Sequence, residues 1–325
     1  MLRRDGSARK FLGRITLLLR STRTTDSLRP GRTGEFLARW RRACAACALL
    51  ILSVAAVWAE SAAWVRAHEY YLRTDYNQSL EVLVPLSNPD AATLQLIGQN
   101  YFQLTEYRKA TDYLEKAAMR NPASAECALW LGRAYGRRAE TSSPFTAPGY
   151  ASKARQMFEK AVALDPSHRD AIADLFDYYL EAPGFLGGGQ DKAEALAAKV
   201  SAKDPAEGHY YLAQLADRRK QYDSAERHLR SALELAPRQA GRFIDLAKFL
   251  SMRGRAKESD ALFAEAEKIA PESPHVLFER AQTYIKANRN LDEARRLLQR
   301  YLQVPLTPSD PSKSEAQALL RKIGA

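Results

Sequence analysis

Three groups of residues in this chain have types and spacings that could do chemistry. Cys44 and Cys47 form a C-x-x-C pair, the spacing of redox-active dithiols and of half a zinc site. Gly184, Gly187, Gly188 and Gly189 lie just ahead of Lys192, an order that could gather backbone N–H groups around a phosphate. His68, His168, His209, His228 and His275 could act as bases or metal ligands. None of the three develops into a reactive site. The cysteine pair sits in an apolar run with no second cysteine or histidine pair beside it, so a metal or redox centre lacks its other half. A Walker loop needs G-x-x-x-x-G-K-[ST], with lysine directly after the glycine and a strand before the loop. Here Gln190 and Asp191 intervene, the preceding segment is helical and Asp191 repels an anion. The glycines read instead as a turn that caps the following helix. The histidines are scattered, with neither H-E-x-x-H nor G-x-S-x-G around them. Cys127, among small apolar residues on a helix face, reads as a core thiol. No catalytic residue, metal or cofactor is expected.

The charge balance excludes a second class. The chain of 325 residues carries a net +11, which would suit a nucleic-acid partner if it lay on the folded part. Residues 1–42 hold twelve Lys/Arg against three Asp/Glu, a net +9, which leaves +2 for the other 283 residues. The basicity belongs to a leader, and no nucleic-acid partner is expected. The sequence is expected to divide into a basic, disordered leader over residues 1–42, a signal peptide or single transmembrane anchor over residues 43–63, and a folded unit over residues 64–325. Ala43 to Ala59 is uncharged and follows Arg39, Arg41 and Arg42, with short residues ahead of Glu60 and again at Ser61–Ala63. Seventeen residues lie between the length of a cleavable signal and that of a membrane span, so residues 43–59 are either removed or kept in the membrane. Both readings leave the arginines in the cytoplasm and carry the rest across. The long Arg-, Ser- and Thr-rich leader also suits an organelle transit peptide, or a translation start further downstream.

What must position any functional residue is a set of repeats. Leu94, Ile97, Gly98, Tyr101, Tyr107, Ala110, Leu114, Ala117 and Pro122 set out a pattern. Its second half returns as Ala154, Phe158, Ala161 and Pro166, then as Ala193, Ala197, Val200 and Pro205. It recurs as Ala225, Leu229, Ala232 and Pro237, as Ser259, Phe263, Ala266 and Pro271, and as Ala294, Leu298 and Tyr301. A degenerate first copy reads Ser79, Leu83, Leu86 and Pro89. Pro205, Pro237 and Pro271 lie near a 34-residue period, whereas the spacings from Pro122 to Pro166 and on to Pro205 are longer by about ten and about five residues. The pattern resembles the tetratricopeptide repeat (TPR), in a protein of the bacterial exported or membrane-anchored type. The resemblance covers roughly residues 64–323 and implies an all-α superhelical solenoid of about six to seven helix-turn-helix repeats with a C-terminal capping helix. Gly98 and Gly132, with Ala213, Ala247 and Ala281 at the same place, are small where the paired helices cross.

The resemblance also implies a non-catalytic scaffold for other proteins, with a concave groove lined by the first helix of each repeat. By register the groove presents Gln95, Gln99, Phe102, Arg133, Arg137, Asp177, Glu181, Tyr210, Gln214, Arg218, Lys248, Phe278, Gln282 and Lys286. The arginine pair could receive a carboxylate or an acidic segment. The extra residues at Thr141–Tyr150 and Ala182–Gln190 fall between the two helices of neighbouring repeats, so both should emerge on one edge. They would set Phe145, Tyr150 and Phe185 there, beside Gly187, Gly188 and Gly189, as a second binding edge for a protein, as a site on loops 141–150 and 182–190 for a small anion or glycan, or as a local staple. Export places this scaffold at the cell envelope.

Overall fold

Apolar residues at helical spacing, punctuated by proline, fold here into consecutive antiparallel helix pairs. A computed structural model of the chain describes residues 62–324. The basic leader and the apolar segment 43–59 lie outside the described residues. Among the described residues no helix is long and apolar enough to cross a membrane. Fifteen α-helices and one 3-10 turn are present there, and no strand.

Seven pairs follow one another: α1 (62–72) with α2 (Tyr76–Leu83), α3 (Ala91–Gln103) with α4 (Tyr107–Arg120), and α5 (Ala125–Thr141) with α6 (Ala147–Leu164). They continue as α7 (Arg169–Glu181) with α8 (Gln190–Ser201), α9 (Pro205–Arg218) with α10 (Tyr222–Leu235), and α11 (Ala240–Met252) with α12 (Ala256–Ile269). The last pair is α13 (Pro274–Lys286) with α14 (Leu291–Tyr301), and α15 (Lys313–Lys322) closes the array as the expected cap. Ala316 of α15 is buried against the core of the seventh pair.

Local sequence explains where the helices begin. After three of the breaks between pairs a short polar residue accepts a hydrogen bond from an otherwise unpaired N–H of the first turn. Asp90 accepts from the Thr93 N–H at 2.8 Å, Ser124 from that of Cys127 at 3.1 Å and Asp204 from that of Glu207 at 3.1 Å. The tight turns inside the pairs share another device. Thr74, Thr105, Lys220, Gly254 and Asn288 all take positive φ at the same place, which reverses the chain in a few residues. Only one of the five is glycine, so packing of the pair imposes a conformation that the other four adopt at a cost.

The helices of a pair cross at small residues, as expected. Ala110, Ala154, Ala193, Ala225, Ala247, Ala281 and Ala294 are all essentially inaccessible. At Gly98 a Cβ would sit 2.5 Å from Leu114 Cγ, and at Gly132 another would sit 2.6 Å from Phe158 Cε1. The third pair departs from the expected loop. Its ten extra residues lengthen α5 to 17 and α6 to 18 residues, against 13 and 14 in the second pair, so only residues 142–146 remain between them. In the fourth pair the additional residues do form a loop, which contains the 3-10 turn Gly184–Leu186.

Two glycines one turn apart on α5 test the crossing. Gly132→Ala drives a methyl into the Phe158 ring and should cost about 1–3 kcal/mol. Gly136 has open space around it, so Gly136→Ala should add about 0.5–1 kcal/mol by removing backbone freedom from the unfolded chain. Urea melts followed by circular dichroism check both signs.

Candidate functional site

The first helices of pairs two to four, α3, α5 and α7, line a concave cleft of about 640 Å³. Phe102 and Gln103 come from α3, Trp130, Arg133 and Arg137 from α5, and Asp170, Asp174, Asp177 and Tyr178 from α7. Phe102 meets Trp130 edge-on with ring centroids 5.4 Å apart, and the Arg133 guanidinium lies 5.0 Å from the Trp130 ring. Pro308 and Ser309, from the segment between α14 and α15, also reach this cleft. Gln103 Nε2 donates to the Pro308 carbonyl at 2.9 Å.

Of the residues expected in the groove, Phe102, Arg133, Arg137 and Asp177 come together here. Others are committed to the fold. Gln99 is a correction: it is buried within α3, in the core-facing turn Leu96–Asn100, and is closed to a ligand. Phe278 is likewise buried, in the core of the seventh pair. Gln95 is half-buried and accepts from Cys127 Sγ at 2.9 Å. Burial pushes the Cys127 thiol up, as suits a core residue. Tyr210 is half-buried beneath the Arg242 guanidinium, 5.0 Å from its ring. Gln214 is half-buried, and Lys286 donates to Gln282 at 2.7 Å.

Charges in the expected row mostly bridge one first helix to the next. Arg133 of α5 holds Asp174 of α7 at 2.5 Å and Asp170 at 3.1 Å. Arg218 of α9 pairs with Glu181 of α7 at 3.3 Å, and Arg242 of α11 with Glu207 of α9. Lys248 of α11 meets Glu279 of α13 at 2.6 Å. Arg137 is different. It is exposed, pairs with Glu140 of its own helix at 2.6 Å and donates from Nε to the Tyr107 hydroxyl of α4 at 3.4 Å.

The loop edge divides in the same way. Phe145 and Phe185 are 95% and 83% exposed, as expected of a free edge. Tyr150 is corrected: it lies in the first turn of α6 and packs on Tyr135, with Arg138 4.1 Å from its ring. The glycines hold no anion cradle. Gly187 N–H donates to the Gly184 carbonyl, Gly188 N–H to that of Pro183 and Gly189 N–H to that of Tyr179, so all three donors are used. Gly188 is buried, and a Cβ there would sit 1.9 Å from the Ala182 oxygen. Lys192 Nζ is turned back onto the Gly187 carbonyl at 2.8 Å.

The histidines are less scattered in space than in sequence. His209 of α9 and His228 of α10 face each other with Nδ1 atoms 2.9 Å apart, while no group of three or more metal-ligating side chains occurs among the described residues. A larger cleft of about 930 Å³ opens between α6 and α8, on the opposite face of α7, with Val162, Ile172, Leu196 and Val200 in its wall. The concave cleft is the stronger candidate for a polypeptide, since it sets half-buried aromatics beside an amide donor and charges of both signs. Sequence reasoning missed seven of these residues: Gln103, Trp130, Asp170, Asp174, Tyr178, Pro308 and Ser309. Gln103 and Trp130 could have been found, because each lies a turn from a residue already placed in the groove. Pro308 and Ser309 could not.

An all-helical array of consecutive pairs, with its first helices lining a concave face, is a repeat scaffold. Models of the tetratricopeptide repeat match residues 91–124 and 206–239, the second and fifth pairs. The chain is a tetratricopeptide-repeat protein, and such repeats generally support protein–protein contact without catalysis. No curated protein matches it. A tetratricopeptide-repeat protein of Parabacteroides merdae is similar in structure, with 14% identity, a TM-score of 0.52, and 82% of this chain and 100% of that one covered. A thermophilic TPR protein of Thermus thermophilus shares 21% identity over 60% of this chain and 99% of its own, with a TM-score of 0.45. At these identities the likeness concerns the fold alone, and only the first bears on it.

Asp177 gives the cleft a pH-dependent charge. Desolvation first, then the neighbouring Asp174 and Glu181 carboxylates, push it up to about 6. The folded state therefore binds this proton more tightly than the unfolded chain does. The ionised carboxylate costs stability at neutral pH, and that cost fades as pH falls from 6 towards the ordinary carboxylate value of about 4. Asp177→Asn should melt higher than wild type at pH 7.5, with the difference shrinking steadily between pH 6 and pH 4. A melting difference that stays constant over this range would refute the assignment.

Proposed function

We propose that this protein is a non-catalytic scaffold of the cell envelope that holds an extended segment of a partner protein in the concave cleft of pairs two to four. One observation carries the reading. Phe102 and Tyr178 stand beside Gln103, Arg137 and Asp177, so apolar contact, an amide donor and charges of both signs face one space. Such a mixture suits a peptide, whose backbone needs hydrogen bonds and whose side chains need both kinds of surface. The envelope assignment rests on the uncharged run Ala43–Ala59 behind its arginines, which serves as an export signal or, if retained, as the membrane contact. A second reading places the partner on the loop edge, where Phe145 and Phe185 are almost fully exposed.

Affinity capture from envelope extract with the full chain separates the two. Arg137→Glu reverses an exposed charge whose contacts are the exposed Glu140 carboxylate and a long hydrogen bond to the Tyr107 hydroxyl, so the fold should be little affected. It should lower capture of the partner by tenfold or more, whereas Phe145→Ser with Phe185→Ser should leave capture unchanged. The reverse pattern would move the site to the loop edge, and an intact chain recovered from the cytosol would sink the envelope assignment.

A further inference from the structure

The segment between α14 and α15 brings together residues from opposite ends of the array. Its ends are pinned. Leu306 is buried in the core of the seventh pair, and the Tyr301 hydroxyl donates to the Pro311 carbonyl. Between these anchors residues 307–310 form a turn. The Asp310 N–H donates to the Thr307 carbonyl at 3.0 Å, and the Thr307 N–H donates to Asp310 Oδ2 at 2.8 Å. Pro308 occupies the second position of that turn, where its fixed φ fits, and Pro305 and Pro311 stiffen the approaches. The tip, Pro308–Ser309, enters the concave cleft and takes the Gln103 amide on the Pro308 carbonyl. The two partners of that bond are 205 residues apart in sequence.

Three features distinguish the tip from a passive brace. It lies in the same space as Phe102, Arg137 and Asp177, which keep accessible surface for a partner. It is held to the cleft wall by a single hydrogen bond, whereas its own anchors are internal to the C-terminal end. Its amide contact is made through a backbone carbonyl, which any extended polypeptide could supply in its place.

We infer that residues 304–311 are an internal occupant of the cleft, a proline-stiffened strap that a partner's extended, proline-bearing segment must displace in order to bind. The inference rests on reading the cleft as the binding site. A tethered tip acts at an effective concentration in the millimolar range, so it competes with any free segment without needing high intrinsic affinity. Proline rigidity keeps the entropy lost on docking small.

The test uses a fluorescein-labelled peptide of residues 304–312 and anisotropy titrations of three full-length chains of equal helix content by circular dichroism. The first is wild type, the second has residues 307–310 replaced by Gly-Ser-Gly-Ser, and the third adds Gln103→Leu to the second. The second chain should bind the peptide at least tenfold more tightly than wild type, and Gln103→Leu should weaken that binding several-fold. If the replacement unfolds the chain, Tyr301→Phe frees the strap at its anchor without touching the cleft and should tighten binding by a smaller factor. Equal binding by wild type and the freed chain, or no binding by the freed chain, overturns the strap. In either case partner capture that remains sensitive to Arg137→Glu leaves the cleft reading standing, so the two fail separately.

Discussion

Everything in this protein follows from the fact that a single helix pair cannot bury the apolar surface it carries. Each pair hides one face inside itself, where an alanine or glycine lets the backbones approach, and must hide another against the next pair. The core is accordingly a chain of local clusters. The longest runs from Ala110 through Phe158 and Phe176 to Tyr211, and another closes on Tyr301 and Ala316. Stability is then a sum of pairs and of the interfaces between neighbours. An extra methyl at Gly132 disturbs one interface, and the long loop of the fourth pair is tolerated because nothing beyond its neighbours depends on it.

The same stacking decides which charges can recognise anything. First helices lie side by side along the concave face, so a cation on one comes within reach of a carboxylate on the next. Arg133, Arg218, Arg242 and Lys248 all make such contacts, and each strut spends a group that would otherwise be available to a ligand. The struts at Arg133 and Arg242 are half-buried or better, where removing one partner costs more than an exposed pair is worth. Of the groups on this face the stacking leaves chiefly Arg137 and Asp177 unconsumed. Asp177 holds its proton more tightly than a free carboxyl does, through desolvation first and then the Asp174 and Glu181 carboxylates of its own helix.

This explains what could be read in the sequence and what could not. The repeat count, the crossing residues and the capping helix were legible because each depends on spacing along the chain, and the pair-by-pair packing honours that spacing. The groove row was legible as a row, since one face of each first helix is fixed by periodicity. Periodicity does not say whether a side chain on that face points into the next helix or into solvent, so Gln99 and Phe278 were misplaced. Nor does spacing reveal that ten extra residues would lengthen α5 and α6 rather than form a loop, carrying Tyr150 into a helix. The glycine run was read as a capping turn rather than a phosphate site on the grounds of its flanks. Its three N–H groups, all spent on nearby carbonyls, could be counted only in three dimensions.

The least legible contact is also the one that departs from nearest-neighbour logic. A solenoid whose pairs touch only their neighbours has no reason to bring residue 103 to residue 308, yet Gln103 and Pro308 share a hydrogen bond. Such a contact adds little to the core, because the strap tip buries no large side chain in the cleft. Its effect falls on the equilibrium between an occupied and an open cleft. A segment that binds only the open form has its apparent affinity reduced by the fraction of chains in which the strap is out. With one hydrogen bond to the wall, that equilibrium is balanced closely enough for a modest partner to shift it, and weak non-specific segments are screened out. A scaffold that meets many unfolded or extended chains gains selectivity from that threshold without needing any residue in the cleft to be highly specific.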